Sequence, residues 1–128
     1  MVDRERALSN LAVGDFFHAG SSNGASLICL VTSVSEGTIY ARQITSQDDL
    51  KFDRNSGIDL TDSRARIDCV APFPQEMHDA FLELDHRLRI FREMDRKGTE
   101  PDWGLCKLTA AERRALLSLD QHVSSNPI

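Results

Sequence analysis

Two stretches rich in β-branched and aromatic residues mark the middle of the predicted sheet. Residues 27–34 and 38–45 flank Ser35-Glu36-Gly37, an arrangement typical of a β-hairpin whose glycine takes a positive φ. A strand that is apolar on both faces is covered on both, so we expect the first stretch in the centre of the sheet. Its faces are formed by Leu27, Cys29 and Val31 on one side and by Ile28, Leu30 and Val34 on the other.

Shorter segments around this hairpin alternate apolar and polar residues and predict the other strands. Asn23-Gly24 is a strong turn signal before the hairpin, and Pro72 and Pro74 end the sheet. Five or six short strands followed by helices predict an α+β fold with a small, strongly bent antiparallel sheet. The additional strands are expected at residues 13–18, 50–54, 58–60 and 65–70.

The opening of this strand region also resembles a known group of folds. Val13-Gly14-Asp15-Phe16 ahead of a meander resembles the beginning of SH3-like small barrels, including the KOW and Tudor types. The resemblance covers about residues 12–71 and rests on the rhythm of the strands. It implies an SH3-like partly open barrel and implies no function, since one fold supports many functions.

After residue 74 the hydrophobic period changes to that of a helix. The spacing predicts a long amphipathic helix within 74–97, whose 22 residues from Gln75 to Arg96 would span about 33 Å. Thr109 and Glu112 form a capping-box pattern that opens a shorter helix over 109–123. We expect one domain over 1–128. The apolar stripe of the long helix consists of Met77, Phe81, Leu84, Leu88 and Phe91.

A small sheet offers less apolar surface than this long helix carries, so we expect one helix end to extend past the sheet. Ile90, Phe91 and Met94 lie on that end and are the predicted contacts of a homodimer, because exposed apolar patches mark interfaces. The alternative is internal burial, with the helix end packed against Leu116 and Leu119.

Composition and charge narrow the classes of function. The formal net charge of the 128 residues is −5 and is spread along the chain, which argues against non-specific binding to nucleic acids or anionic membranes. The longest apolar run, 27–31, is too short to cross a membrane. Cys29, Cys69 and Cys106 show no metal-ligand or disulfide spacing, so we expect reduced thiols and a cytoplasmic location.

Few residues form a pattern that carries chemistry. Asp79, Glu83 and His86 share one face of the long helix, but Glu-x-x-His is half of a di-iron motif that needs a second copy. Nucleotide-binding, phosphate-loop and nucleophile-elbow motifs are absent from the sequence. These absences favour a protein that is not an enzyme and that holds no metal or cofactor, and they leave open a site assembled from distant residues.

Basic residues in or beside the strands define the candidate binding face. Together with Tyr40 they would form a basic and aromatic surface of the kind that small barrels use for nucleic acids or peptides. Interleaved aspartates favour the alternative of a solvated surface of mixed charge. The basic residues concerned are Arg42, Lys51, Arg54 and Arg66, with Arg64 beside them.

Three hypotheses about function follow. The first is a small, non-catalytic, cytoplasmic protein-interaction module that binds a protein partner or a second copy of itself, without a membrane. The second is an accessory protein that binds nucleic acid through the barrel face. The third is an acidic inhibitor or immunity-type protein that covers a basic partner, for which the support is the small size and the charge of −5. Salt-dependent binding to DNA or RNA separates the second from the others.

Overall fold

The computed structural model describes residues 2–61 and 65–128, in which a curled antiparallel sheet is followed by helices. The strand order β4-β3-β2-β1-β5 places β2 in the centre, so the predicted α+β fold with a partly open barrel is confirmed. None of the helices in these two ranges is both long and apolar enough to cross a bilayer. The elements are α1 (Val2–Ser9), β1 (Phe16–Ser21), β2 (Ser26–Val34), β3 (Thr38–Gln43), β4 (Asp49–Asp53), β5 (Ala65–Cys69), α2 (Gln75–Arg96), a 3-10 helix (Trp103–Cys106) and α3 (Ala110–Ser125).

The central strand β2 supplies side chains to two hydrophobic clusters, as its apolar pattern predicts. Cys29 and Val31 face the inside of the curled sheet, in a cluster that we call the inner cluster. Ile28 and Leu30 face the helices, in a cluster that we call the outer cluster. The sheet is therefore buried on both sides at its centre, and the outer side is the one on which α2 and α3 pack.

A bulge changes the face of one residue of β2. The pairing with β3 shifts between Val31 and Ser33, so the strand contains one extra residue there and its alternation is reset. Val34 consequently packs against the inner cluster, and its predicted position on the outer side is wrong.

The first strand begins at Phe16, later than the predicted start at Val13. Gly14 has a φ of 94°, and the amide of Asp15 donates to the carbonyl of Ala12 at 3.0 Å. The chain therefore turns before the strand begins, and the side chain of Val13 is exposed.

The segment 57–60 lies between the two outer strands of the sheet and bonds to both. On the β4 side the amide of Asp53 donates to the carbonyl of Ile58 at 2.8 Å. On the β5 side the amide of Ile67 donates to the carbonyl of Gly57 at 2.8 Å. The predicted strand at 58–60 is thus reduced to isolated bridges, but these bridges join the ends of the sheet into a partly open barrel.

Gly57 is the glycine whose conformation this closure requires. Its φ is 75°, and a Cβ there would lie 2.6 Å from Nη2 of Arg4 and 3.3 Å from Cβ of Ile67. Gly37, the glycine predicted to have a positive φ, does not have one. The connection from β2 to β3 closes instead through the amide of Ser35, which donates to the carbonyl of Thr38 at 2.9 Å.

The long helix α2 uses its first half to cover the outer side of the sheet. Met77, Phe81 and Leu84 are buried in the outer cluster, and Leu88 is partly buried beside them. Ile90, on the second half, is 42% exposed. The second half of the helix is therefore less buried than the first.

The shorter helix α3 begins with the predicted capping box. The hydroxyl of Thr109 accepts from the amide of Glu112 at 3.1 Å, and the Glu112 carboxylate accepts from the amide of Thr109 at 3.0 Å. Ala115 and Leu119 then join Met77 in the outer cluster. The helix α3 therefore packs beside the first half of α2.

Candidate functional site

Tyr40 and Lys51 lie side by side on the outer side of the sheet. They are a directly opposed pair of β3 and β4, and their neighbours Ile39 and Phe52 point into the inner cluster. This pair is the part of the predicted binding face that the fold brings together. It lines an open depression of about 410 Å³, which we call the Tyr40 depression, together with Thr32, Ser33, Asp49 and Thr61.

Arg42 lies on the same side of the sheet, but its guanidinium is occupied. Nε and Nη2 donate to the two carboxylate oxygens of Asp85 on α2 at 3.0 and 2.8 Å, and Nε2 of Gln47 donates to the same carboxylate at 2.9 Å. The bond to Asp85 raises the pKa of Arg42 above its usual value. A half-buried cation that is paired with a buried carboxylate is not available to a ligand, so Arg42 fastens α2 to the sheet.

Arg54 and Arg66 lie apart from Tyr40. Arg54 donates from Nη1 to the carbonyl of Ser35 at 2.7 Å and from Nη2 to the carbonyl of Ser9 at 2.9 Å, which ties α1 to the connection after β2. Arg66 is exposed on β5 and lines a separate depression beside α1. The predicted basic residues thus do not form one continuous surface, and Arg64 lies outside the described residues.

The second half of α2 carries a different exposed surface. The rings of Phe91 and Trp103 pack with their centroids 5.2 Å apart, yet Trp103 remains 68% exposed. Ile90 is exposed, and Phe91 and Met94 are partly buried. We call these four residues the aromatic patch. Phe91 lies outside the outer cluster, so the alternative of internal burial against Leu116 and Leu119 is not found.

Charges of both signs surround the aromatic patch. The carboxylate of Glu93 lies 3.4 Å from Arg96 and 3.8 Å from Lys97, and all three side chains are more than half exposed. Arg89 and Asp95 are also exposed on this part of the helix. Exposed pairs of this kind contribute little to stability, so these charges can rearrange around a partner.

A cluster of three polar residues was not predicted from the sequence. His18 on β1 lies between Ser26 on β2 and Asp68 on β5. Its Nδ1 lies 2.6 Å from Oδ1 of Asp68, and its Nε2 is within hydrogen-bond distance of the hydroxyl of Ser26. Ser26 and Asp68 lie 8 and 50 positions after His18, so no local sequence motif marks the cluster. The pairing of β1 with β5 is irregular at this point, between His18 and Ala19.

The other candidate groups do not combine into a reactive centre. Cys29 and Cys69 are buried, and burial raises the pKa of both thiols, whereas Cys106 is exposed. Asp79 accepts a bond from Gln75 at 2.8 Å, and Glu83 lies 3.7 Å from Arg87. Within residues 2–61 and 65–128, no three His, Cys, Asp or Glu side chains are placed to hold a metal ion.

Comparison with protein-family models, with curated proteins and with solved structures finds no match to this chain. Its function is therefore inferred from the geometry of its own residues.

Proposed function

We propose that this protein is a small cytoplasmic interaction module that binds a second copy of itself through the aromatic patch. The observation that carries this proposal is Trp103, which packs one side on Phe91 and leaves 68% of its surface in water. Burying such a surface against a partner releases free energy in proportion to its apolar area. Tryptophan is also enriched among the residues that dominate binding at interfaces.

The shape of the patch supports a helical partner. Ile90 and Met94 are four residues apart on α2, so they lie one above the other on the same side of the helix. Two such helices can pack side by side, each placing its apolar residues between those of the other. Because Trp103 stands next to this side, on the 3-10 helix, it would extend the contact beyond the two helices.

The charges around the patch support a second copy as that partner. A two-fold interface brings the same surface together with itself, so that surface must be self-complementary. Glu93 stands beside Arg96 and Lys97, which allows the carboxylate of each copy to meet a cation of the other. A strongly acidic or basic partner would instead favour a surface of one sign.

Light scattering at micromolar concentration should give about twice the chain mass of 14.3 kDa. Ile90→Glu and Trp103→Ala should each weaken the dimer by about 30-fold or more, the effect of losing a dominant interface residue. Leu117→Glu is the matched control, because Leu117 is an 84% exposed leucine on α3 outside the patch. It should remain a dimer.

Ile90→Glu should unfold at the same temperature as the unaltered chain diluted until it is monomeric, since Ile90 is exposed in the single chain and loss of a dimer by itself lowers the melting temperature. A monomeric mass for the unaltered chain would contradict the second copy as partner. Dissociation by Leu117→Glu together with retention of the dimer by Ile90→Glu would show that the contact surface is elsewhere.

The Tyr40 depression supports the nucleic-acid hypothesis as the second candidate. An aromatic ring beside a lysine can stack on a base while the ammonium group meets a phosphate. However, Arg42 is bound to Asp85 and Asp49 lines the same depression, in which Lys51 is the cation among the described lining residues. Binding of an oligonucleotide that weakens with added salt and with Tyr40→Ala would favour this function over self-association. The acidic-inhibitor hypothesis keeps only its original support, the small size and the charge of −5.

A further inference from the structure

We propose that Ser26 is a nucleophile that is activated by His18 and reacts with small acyl esters. The geometry that carries this inference is the continuous chain of hydrogen bonds from the Ser26 hydroxyl to Nε2 of His18 and from Nδ1 of His18 to Asp68. The site is separate from the aromatic patch, so this activity would be a second property of the protein, independent of its association.

The ring tautomer of a neutral His18 follows from its partners. An ionised carboxylate can only accept hydrogen bonds, so the nitrogen that faces Asp68, Nδ1, carries the proton. In a neutral imidazole the other nitrogen, Nε2, then holds a lone pair, and the hydroxyl of Ser26 donates to it. A base is thus in contact with a hydroxyl and is oriented by a carboxylate, which are the three roles of nucleophilic serine catalysis.

The fold holds His18 firmly at the inner end of the cluster. His18 is 7% exposed, and the carbonyl of Asp68 accepts a bond from the amide of Ile128 at 3.1 Å. A Cβ at Gly20 would lie 3.1 Å from Oδ2 of Asp68, so the glycine leaves room for the carboxylate.

The outer end of the cluster is open. Ser26 is exposed. A substrate can reach Ser26 directly. Because it lies on open sheet surface and outside the depressions described above, it is suited to small activated esters rather than to peptides.

The reaction balances as an ordinary ester hydrolysis. Oγ of Ser26 attacks the carbonyl carbon while Nε2 of His18 takes the hydroxyl proton, and His18 passes this proton to the leaving alcohol as the ester bond breaks. Water then attacks the acyl-serine with the help of the same base. The products are the carboxylic acid and free Ser26. In this scheme Asp68 is a positioning residue, since it acts through His18.

A fluorophosphonate ester tests the nucleophile directly. Attack by Ser26 forms an oxygen–phosphorus bond and expels fluoride, and the proton leaves through His18. Peptide mass spectrometry should place the adduct on Ser26, and Ser26→Ala should abolish it. Ser33→Ala is the matched control, an exposed serine of the same strand, and it should be labelled like the unaltered protein. Absence of an adduct on Ser26 in the folded protein would overturn the proposal.

A thiol at the same position tests the base independently. Ser26→Cys should be alkylated by iodoacetamide at least about tenfold faster than Ser33→Cys, because an adjacent imidazole takes the thiol proton. Both variants are made with Cys106→Ser, since Cys106 is exposed. Asp68→Asn should remove the difference without changing the rate at position 33, an effect that a purely structural role would not produce. Equal rates at positions 26 and 33 would overturn the role of His18 as the base.

Discussion

Glu112 shows how one buried carboxylate serves two elements. It accepts from the amide of Thr109 in the capping box at 3.0 Å and from two guanidinium nitrogens of Arg87 at 2.5 and 2.6 Å. The bonds from Arg87 hold the pKa of Glu112 below its usual value, although burial acts in the opposite direction. A carboxylate with a lowered pKa stabilises the fold above the pKa of the unfolded chain, and this contribution is lost as pH falls through the folded value.

Glu112→Gln should therefore destabilise the protein by about 1.5–3 kcal/mol near neutral pH, the usual contribution of hydrogen bonds to a charged group. Glu76→Gln is the control. Both side chains of the pair between Glu76 and Arg114 are exposed, so this pair should contribute less than about 1 kcal/mol to the free energy of unfolding. Urea unfolding measures the free energy of unfolding of both variants. At acidic pH the difference between Glu112→Gln and the unaltered protein should shrink, since Glu112 is then protonated. A difference that stays the same at both pH values would show that Glu112 does not act through its charge.

The contacts of single side chains can be predicted from the sequence where the two partners lie close together in the chain. Thr109 and Glu112 are three positions apart, and their capping box was predictable. The partner of Arg42 is 43 positions away on α2, so the sequence predicted a free cation where the fold has a bound one. The cluster of His18, Ser26 and Asp68 was missed for the same reason, because the three residues meet only when three strands pair.

Elements with a strong local period were predicted well. The observed helix α2, Gln75–Arg96, lies within the predicted range 74–97, because the spacing of its apolar residues is a property of the segment itself. Strand boundaries and faces were less accurate where the fold interrupts the alternation. The turn at Gly14 delays β1, and the bulge after Val31 changes the face of Val34. The alternation of apolar and polar residues in the sequence shows neither the turn nor the bulge.

The burial of α2 on the sheet should be visible in the stability of two leucine variants of that helix. Leu84→Ala should cost about 2–5 kcal/mol in urea unfolding, because its side chain is buried in the outer cluster. Leu82→Ala is the control on the same helix, where the leucine is 40% exposed, and it should cost less than about 1 kcal/mol. Similar values for the two variants would mean that α2 does not pack on the sheet through this side.

The molecule as a whole depends on one glycine to close its barrel. Gly57 combines a φ of 75° with close approach of Arg4 and Ile67, and its carbonyl accepts the amide of Ile67. Gly37 has neither constraint, since nothing lies within 4 Å of a Cβ placed there. The two glycines therefore differ in what an added methyl group would meet.

Gly57→Ala should destabilise the protein by about 1–3 kcal/mol, the usual cost of a positive φ in a residue with a side chain. Gly37→Ala should stay within about 1 kcal/mol of the unaltered protein and can stabilise it, because alanine restricts the unfolded chain. Chemical denaturation of the two variants side by side measures this contrast. Equal losses would mean that the closure at Gly57 contributes nothing particular to the fold.

The closure by residues 57–60 also decides how another molecule can be recognised. The amides of Asp53 and Ile67 and the carbonyl of Lys51 are already bonded to this segment, so the outer strands offer few free backbone groups within the described part of the chain. Sheets with unpaired outer strands attract further strands from other chains, which leads to strand exchange and fibrils. Here that route is blocked by the chain itself. Recognition of another molecule at these edges would therefore rest on side chains, and crowding of many copies is not expected to extend the sheet from one molecule to the next.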